Sequence, residues 1–145
     1  MRISIGSDHA GFEQKQLLAD YLAQEGHEVI DCGPDDDERV DYPDYAKAVC
    51  EKVASGHASF GVLVCGTGIG MAIAANKVCG IRAANIVRED FAALAREHND
   101  ANVITLSGRF VTFDENRKIL DAFLSTAFGG GRHAGRVAKI MALEG

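Results

Sequence analysis

Short apolar runs alternate with amphipathic windows along this chain, which is the pattern of a parallel sheet covered by helices. Arg2 to Gly6 reads as a first strand, and Gly11 to Glu25 as a helix with Leu17, Leu18, Tyr21 and Leu22 on one face, ended by Gly26. Glu28 to Cys32 is a second strand, followed by the acidic run Asp35-Asp36-Asp37-Glu38, which reads as a solvated turn. Pro43 suits the first turn of a helix running to Ala54. The unbroken apolar run Phe60 to Cys65 predicts a central strand buried on both faces.

Gly66-Thr67-Gly68-Ile69-Gly70 then turns into an alanine-rich helix through Lys77, and Ile81 to Val87 forms a fourth strand. Glu89 to His98 places Phe91, Leu94, Ala95 and His98 at i, i+3, i+4 and i+7 of a helix, and Asn102 to Leu106 is a fifth strand. Thr112 and Glu115 form a capping box for a helix whose stripe is Ile119, Leu120, Phe123, Leu124 and Ala127. Gly129-Gly130-Gly131 breaks it, and a last helix carries Val137, Ile140 and Met141, widened by Leu143. The expected fold is a single α/β domain over residues 1–145. It is a Rossmann-like three-layer sandwich with a five-stranded parallel sheet and a protruding C-terminal helix.

At 145 residues the chain has the size of one domain, and 47% apolar against 25% charged residues suits a globular protein. The net charge of -6 argues against a nucleic-acid binder, since that affinity rests on clustered cations. No run approaches the ~20 apolar residues of a membrane span, and the amino terminus enters a strand at once, so a cytoplasmic protein is expected. Cys32, Cys50, Cys65 and Cys79 lie 14 to 18 residues apart with no Cys-x-x-Cys pair, so neither a disulfide framework nor a zinc site is expected. Cys32, Cys50 and Cys79 read as small buried hydrophobes.

Ligands of open parallel sheets bind beyond the carboxyl ends of the strands. On that rule strand one delivers Ser7 to Gly11, strand three Cys65 to Gly70 and strand five Ser107 to Arg109. The turn His98-Asn99-Asp100 lies just before strand five, and polar groups are expected to gather at one end of the sheet.

Gly66, Gly68 and Gly70 either make only a tight turn or bare backbone N–H groups at a helix N-terminus, an anion site. The G-x-G-x-G spacing after the third strand is neither a dinucleotide fingerprint nor a P-loop. Cys65 is either an inert strand end or a thiol that the helix N-terminus tunes toward thiolate, able to remove a carbon-bound proton beside oxyanion donors. His98 is either a core histidine or a proton donor favoured by a helix C-terminus. Arg132 and Arg136 share a face of the last helix, with His133 and Lys139 nearby. They either balance the acidic loop or, with Arg109, hold a phosphate.

Ser7-Asp8-His9-Ala10-Gly11-Phe12, Asp41-Tyr42-Pro43, Cys65 to Gly70, Ala74 to Lys77, Gly80 to Ala83, His98 to Val103 and Gly130-Gly131-Arg132-His133 together carry a family resemblance. In this order, and over nearly the whole chain, they resemble the type B ribose-5-phosphate isomerases, relatives of the galactose-6-phosphate isomerase subunits. The resemblance implies an aldose–ketose isomerase of the pentose phosphate route, interconverting ribose 5-phosphate and ribulose 5-phosphate with no metal and no cofactor. It makes Cys65 the base at C2 and His98 the acid of ring opening, assisted by Asp8 and Tyr42. The backbone of Gly66, Thr67, Gly68, Ile69 and Gly70, with the Thr67 hydroxyl, would hold the enediolate, and Asn99 the sugar hydroxyls. His9, Arg109, Arg132 and Arg136 would hold phosphate. Some members use a glutamate a few residues after the cysteine position; Met71-Ala72-Ile73 stands there in this chain, so Cys65 is the candidate base. The Gly-Gly-Arg-His block leans toward the ribose branch.

The resemblance also implies a homodimer or dimer of dimers, with sites completed across the interface. Competing readings are an isomerase of another aldose phosphate (allose or galactose 6-phosphate, or a tetrose phosphate), a non-catalytic phosphosugar-binding module and a nucleotide-binding domain.

Overall fold

The structure, a computed structural model, describes residues 1–145. Five parallel strands stand in the order β2-β1-β3-β5-β4: β1 (Arg2–Ser7), β2 (Glu28–Asp31), β3 (Phe60–Cys65), β4 (Ala83–Asn85) and β5 (Val103–Ser107). The helices are α1 (Phe12–Gln24), α2 (Tyr42–Ala54), α3 (Ile69–Ala75), α4 (Glu89–Asn99), α5 (Phe113–Ser125) and α6 (Arg132–Ala142). β3 lies at the centre, which is why its side chains run apolar without alternation. Each side chain there meets one of two cores. Ile3, Ile5, Val62, Val64, Ile104 and Leu106 pack with Leu18, Ala95 and Phe123 on the α1, α4 and α5 side. Leu63, Cys65 and Val103 pack with Val49, Cys50 and Met71 on the α2 and α3 side. The result is the expected three-layer α/β sandwich. No helix is long and apolar enough to cross a membrane.

Two helices bury a different face from the one that apolarity alone predicts. In α1 the buried residues are Gln14, Lys15, Leu18 and Leu22, while Leu17 is exposed and Tyr21 only half-buried. Lys15 is 1% exposed because its ammonium has full partners, donating to both oxygens of Asp31 and to the Pro34 carbonyl at 2.6 Å. Gln14 is held likewise by the carbonyls of Gly108 and Val111. In α4, Ala92, Ala95 and Arg96 are buried, and Phe91 and Leu94 are exposed. The Arg96 guanidinium lies over the Phe60 ring and pairs with Asp100, so a charged side chain takes the place that an apolar one was expected to hold.

Thr112 accepts the Glu115 N–H as the capping pattern predicts, but α5 stops at Ser125, and Ala127 is exposed. β4 keeps only three of the seven expected residues. Side chains of Asn76 and Asn102 bind the backbone at Gly80, Arg82 and Ala83, and so hold the strand's entry as a turn. α6 does protrude: Val137 is its one buried residue, Met141 Sδ meets Arg82, and Glu144 caps the Gly80 N–H.

Candidate active site

Three loops meet beyond the carboxyl ends of β1, β3 and β5, packed backbone to backbone. A Cβ on Gly11 would strike the Val64 carbonyl, so that approach requires glycine, and one on Gly108 would stand a tight 3.1 Å from the Ala10 oxygen. Asp8 is buried at the end of β1, where its carboxylate accepts the Gly11 N–H at 3.0 Å. His9 Nδ1 accepts the Val40 N–H at 3.2 Å, which puts the proton of the neutral ring on Nε2, as a donor. Arg109 lays its guanidinium over Gly66, and the Tyr42 ring covers Gly70, both near enough to leave little or no room for a side chain there.

Cys65 closes β3, 5% exposed, and its Sγ receives the Gly68 N–H at 3.1 Å. Gly68 sits at φ +84°, a left-handed conformation that lets the chain double back onto the sulfur. Thr67 Oγ1 accepts the Ile69 N–H at 3.1 Å, which leaves its own hydrogen to donate. The N–H groups of Thr67, Gly70 and Met71 have no acceptor within the chain. Such unpaired donors at the head of a helix suit an anion. The other thiols differ: burial pushes Cys50 up to about 12 and raises Cys32, and Cys79 is exposed where a buried residue was expected.

Not all the expected residues join this cluster. α4 runs antiparallel to the strands, so His98 and Asn99 lie at the amino end of β5, where Arg82 donates to the Asn99 and Asp100 carbonyls. Cys65 is level with Ser107, the last residue of β5. The four-residue rise from Val103 to Ser107 sets their backbone levels about 13 Å apart along the strand. The expectation that all polar groups gather at one end is therefore corrected. The order of elements along the chain does not say which end of the sheet a helix C-terminus occupies unless the direction of each helix is followed. Cys65 and His9 are likewise divided from His98, and no group of three or more His, Cys, Asp or Glu side chains is placed to hold a metal.

His98 instead belongs to a second cluster. Its ring stacks on His133 with centroids 4.3 Å apart, and Arg132 and Arg136 are exposed on the same stretch of α6. Gly129 makes the joint, donating to the Glu97 carbonyl at 2.9 Å. Desolvation lowers the His133 pKa below its usual 6.5, helped by the charges of His98, Arg132 and Arg136. A histidine NMR titration should accordingly find His133 with a midpoint under 6.5. Arg132→Gln should move it back up, because a neighbouring cation disfavours imidazolium. An unmoved midpoint would remove the arginine from the cause.

Sequence reasoning missed Thr105 as a support of the site and named Ser107 only by its place at the end of strand five. The signal was present for both, as alternate polar residues in the otherwise apolar Val103–Ser107 strand.

The sequence profile of the Ribose/Galactose Isomerase family matches residues 3–140. Among relatives, the ribose-5-phosphate isomerase B of Escherichia coli K12 is 45% identical over 99% of this chain and 96% of its own. A probable ribose-5-phosphate isomerase B of Mycoplasma pneumoniae is 51% identical over 98% of this chain and 94% of its own. The solved ribose-5-phosphate isomerase B of Clostridium thermocellum superposes with a TM-score of 0.98 at 50% identity, covering 99% of this chain and 97% of that one. That of Mycoplasma genitalium, with bound ribulose-5-phosphate, gives 0.95 at 48%, covering 99% and 95%. With the fold, the glycine cradle and these likenesses in agreement over almost its full length, the chain belongs to the ribose/galactose isomerase family.

Proposed function

We propose that this chain is a single-domain, cytoplasmic ribose-5-phosphate isomerase, and that each active site takes Cys65 from one copy and His98 from another. The observation that carries the chemistry is the Gly68 N–H directed at Cys65 Sγ, inside a loop with three further N–H groups free. A donor so placed serves a negative sulfur better than a neutral one. The thiolate takes the proton from C2 of the open-chain sugar. The enediolate oxygens rest on the free N–H groups and the Thr67 hydroxyl, the O2 hydroxyl proton passes to O1, and the proton held by the thiol returns to C1 to give the ketose. Asp8 and Tyr42, at the rim of the same loop, orient the sugar and assist opening of its ring. The ligand in the Mycoplasma genitalium relative supports the substrate class.

Support for the second copy is geometric. The Cys65 cluster lacks the acid, and the His98 cluster, with Asn99, Arg132 and Arg136, lacks the base. Ile69, Ile73, Val87, Phe91 and Leu94 are 40–62% exposed, a set of large apolar side chains that a partner would cover. In the assembled site His98 protonates the ring oxygen as the furanose opens, and Asn99 holds the sugar hydroxyls. Arg132 and Arg136 join His9 and Arg109 around the phosphate.

Incubation with ribose 5-phosphate in excess EDTA tests the reading. Ketose should form at the same rate with and without the chelator. No ketose from ribose 5-phosphate would end it, and a rate that EDTA abolishes and zinc restores would end its metal-free chemistry.

A further inference from the structure

A glycine-rich loop approaches its ligand closely at the cost of rigidity, since glycine adopts many backbone conformations. Something outside the loop must hold it, and β5 supplies the means. Val103 packs toward the α2 and α3 side of the sheet, whereas Ile104 and Leu106 face the other core, so the alternation of a strand puts Thr105 and Ser107 on the α3 side. Ser107 Oγ donates to the Gly66 carbonyl at 2.7 Å, and Thr105 Oγ1 to the Gly68 carbonyl at 2.8 Å. Thr105 is wholly buried, and Asn85 Oδ1, 3.2 Å from the same hydroxyl, is its second, more distant acceptor.

A trans peptide is planar, so a carbonyl drawn toward β5 turns the next N–H the opposite way. Ser107 thereby aims the Thr67 N–H away from the sheet, and Thr105 does the same for Ile69, whose N–H meets the Thr67 hydroxyl. Gly68 is the swivel between them, with no side chain to limit its rotation. Its own N–H is the donor to Cys65 Sγ. That donor lies in the Thr67–Gly68 peptide, between the Gly66 carbonyl held by Ser107 and the Gly68 carbonyl held by Thr105, so pinning both neighbouring peptides confines it.

We infer that Thr105 is a positioning residue: its buried hydroxyl sets the Gly68 backbone so that the Gly68 N–H faces the Cys65 sulfur. The consequence for turnover rests on Cys65 as the base, and the test separates the two. Thr105→Val keeps the shape and removes the hydroxyl, and the Gly68 carbonyl keeps its second donor, the Ala72 N–H at 3.1 Å, so α3 should survive. Cys65-specific alkylation by iodoacetamide, followed by peptide mass without substrate, should slow several-fold in Thr105→Val at fixed pH. The kcat should fall about 10-fold with KM little changed, less than the ~10²–10³-fold typical of deleting an oxyanion donor outright. Thr105→Ser should restore both.

Unchanged alkylation in a folded Thr105→Val would overturn the proposal, as would failure of Thr105→Ser to recover what Thr105→Val loses. Slower alkylation with undiminished kcat would uphold the positioning role and overturn Cys65 as the base instead.

Discussion

Cys65→Ala is expected to fold as the parent does, to retain sugar-phosphate binding and to lose about 10²–10⁴-fold in kcat. Binding should survive because the donors proposed for phosphate and hydroxyls are other groups: His9, Arg109 and the N–H groups of the glycine loop. Folding should survive because the sulfur is a small part of a core that also holds Val49, Val53, Leu63, Met71, Ile81 and Val103. The loss should fall on kcat because removal of the C2 proton needs a base at that point, and no carboxylate follows the loop where Met71, Ala72 and Ile73 stand. The comparison of kcat with KM under saturating ribose 5-phosphate measures it. Iodoacetamide should inactivate the parent, with substrate protecting. Cys50 should not contribute, since burial pushes its thiol up to about 12. Near-parental turnover in the alanine variant would end the thiolate mechanism.

Much of this site was legible in sequence, for a physical reason. The groups that meet at the carboxyl ends of the strands are local in the chain: Asp8 and His9 follow β1 directly, and Cys65 to Gly70 follow β3. A parallel sheet converts those local positions into one spatial cluster, so placing the strands places the residues. Helix faces were less legible, because the hydrophobic pattern counts Lys15 and Arg96 as surface residues. Each is buried by partners remote in sequence, Pro34 in one case and Phe123 in the other. The position of His98 failed for a third reason. A helix that returns antiparallel to the strands carries its C-terminal residue to the far end of the sheet, and proximity to β5 in sequence hides that distance.

That distance makes the second large effect a matter of counting half-sites. Cys65→Ala and Arg136→Ala should each be nearly inactive as homo-oligomers, the first without its base and the second without a phosphate contact. If Cys65 of one copy works with Arg136 of another, a mixed dimer holds one site with both residues lost and one with both intact. Random mixing makes about half the dimers mixed, with one good site in two, so recovery should approach about a quarter of parental activity. A control pair separates this from trivial rescue. Asp8→Asn and Cys65→Ala damage the same cluster, since Asp8 directly follows β1 and Cys65 ends the adjacent β3. Every site of that mixed dimer keeps one defect, and no activity should return. Mixing is verified by mass measurement of the native assembly with one chain isotopically labelled. Recovery by the control pair would mean that Asp8 and Cys65 of one chain serve different sites. No recovery by Cys65→Ala with Arg136→Ala despite demonstrated exchange would mean that each chain completes its own site. His98 would then have to cross the ~13 Å of strand that separates it from Cys65, a rearrangement that the packing of Ala95 and Arg96 against the core resists.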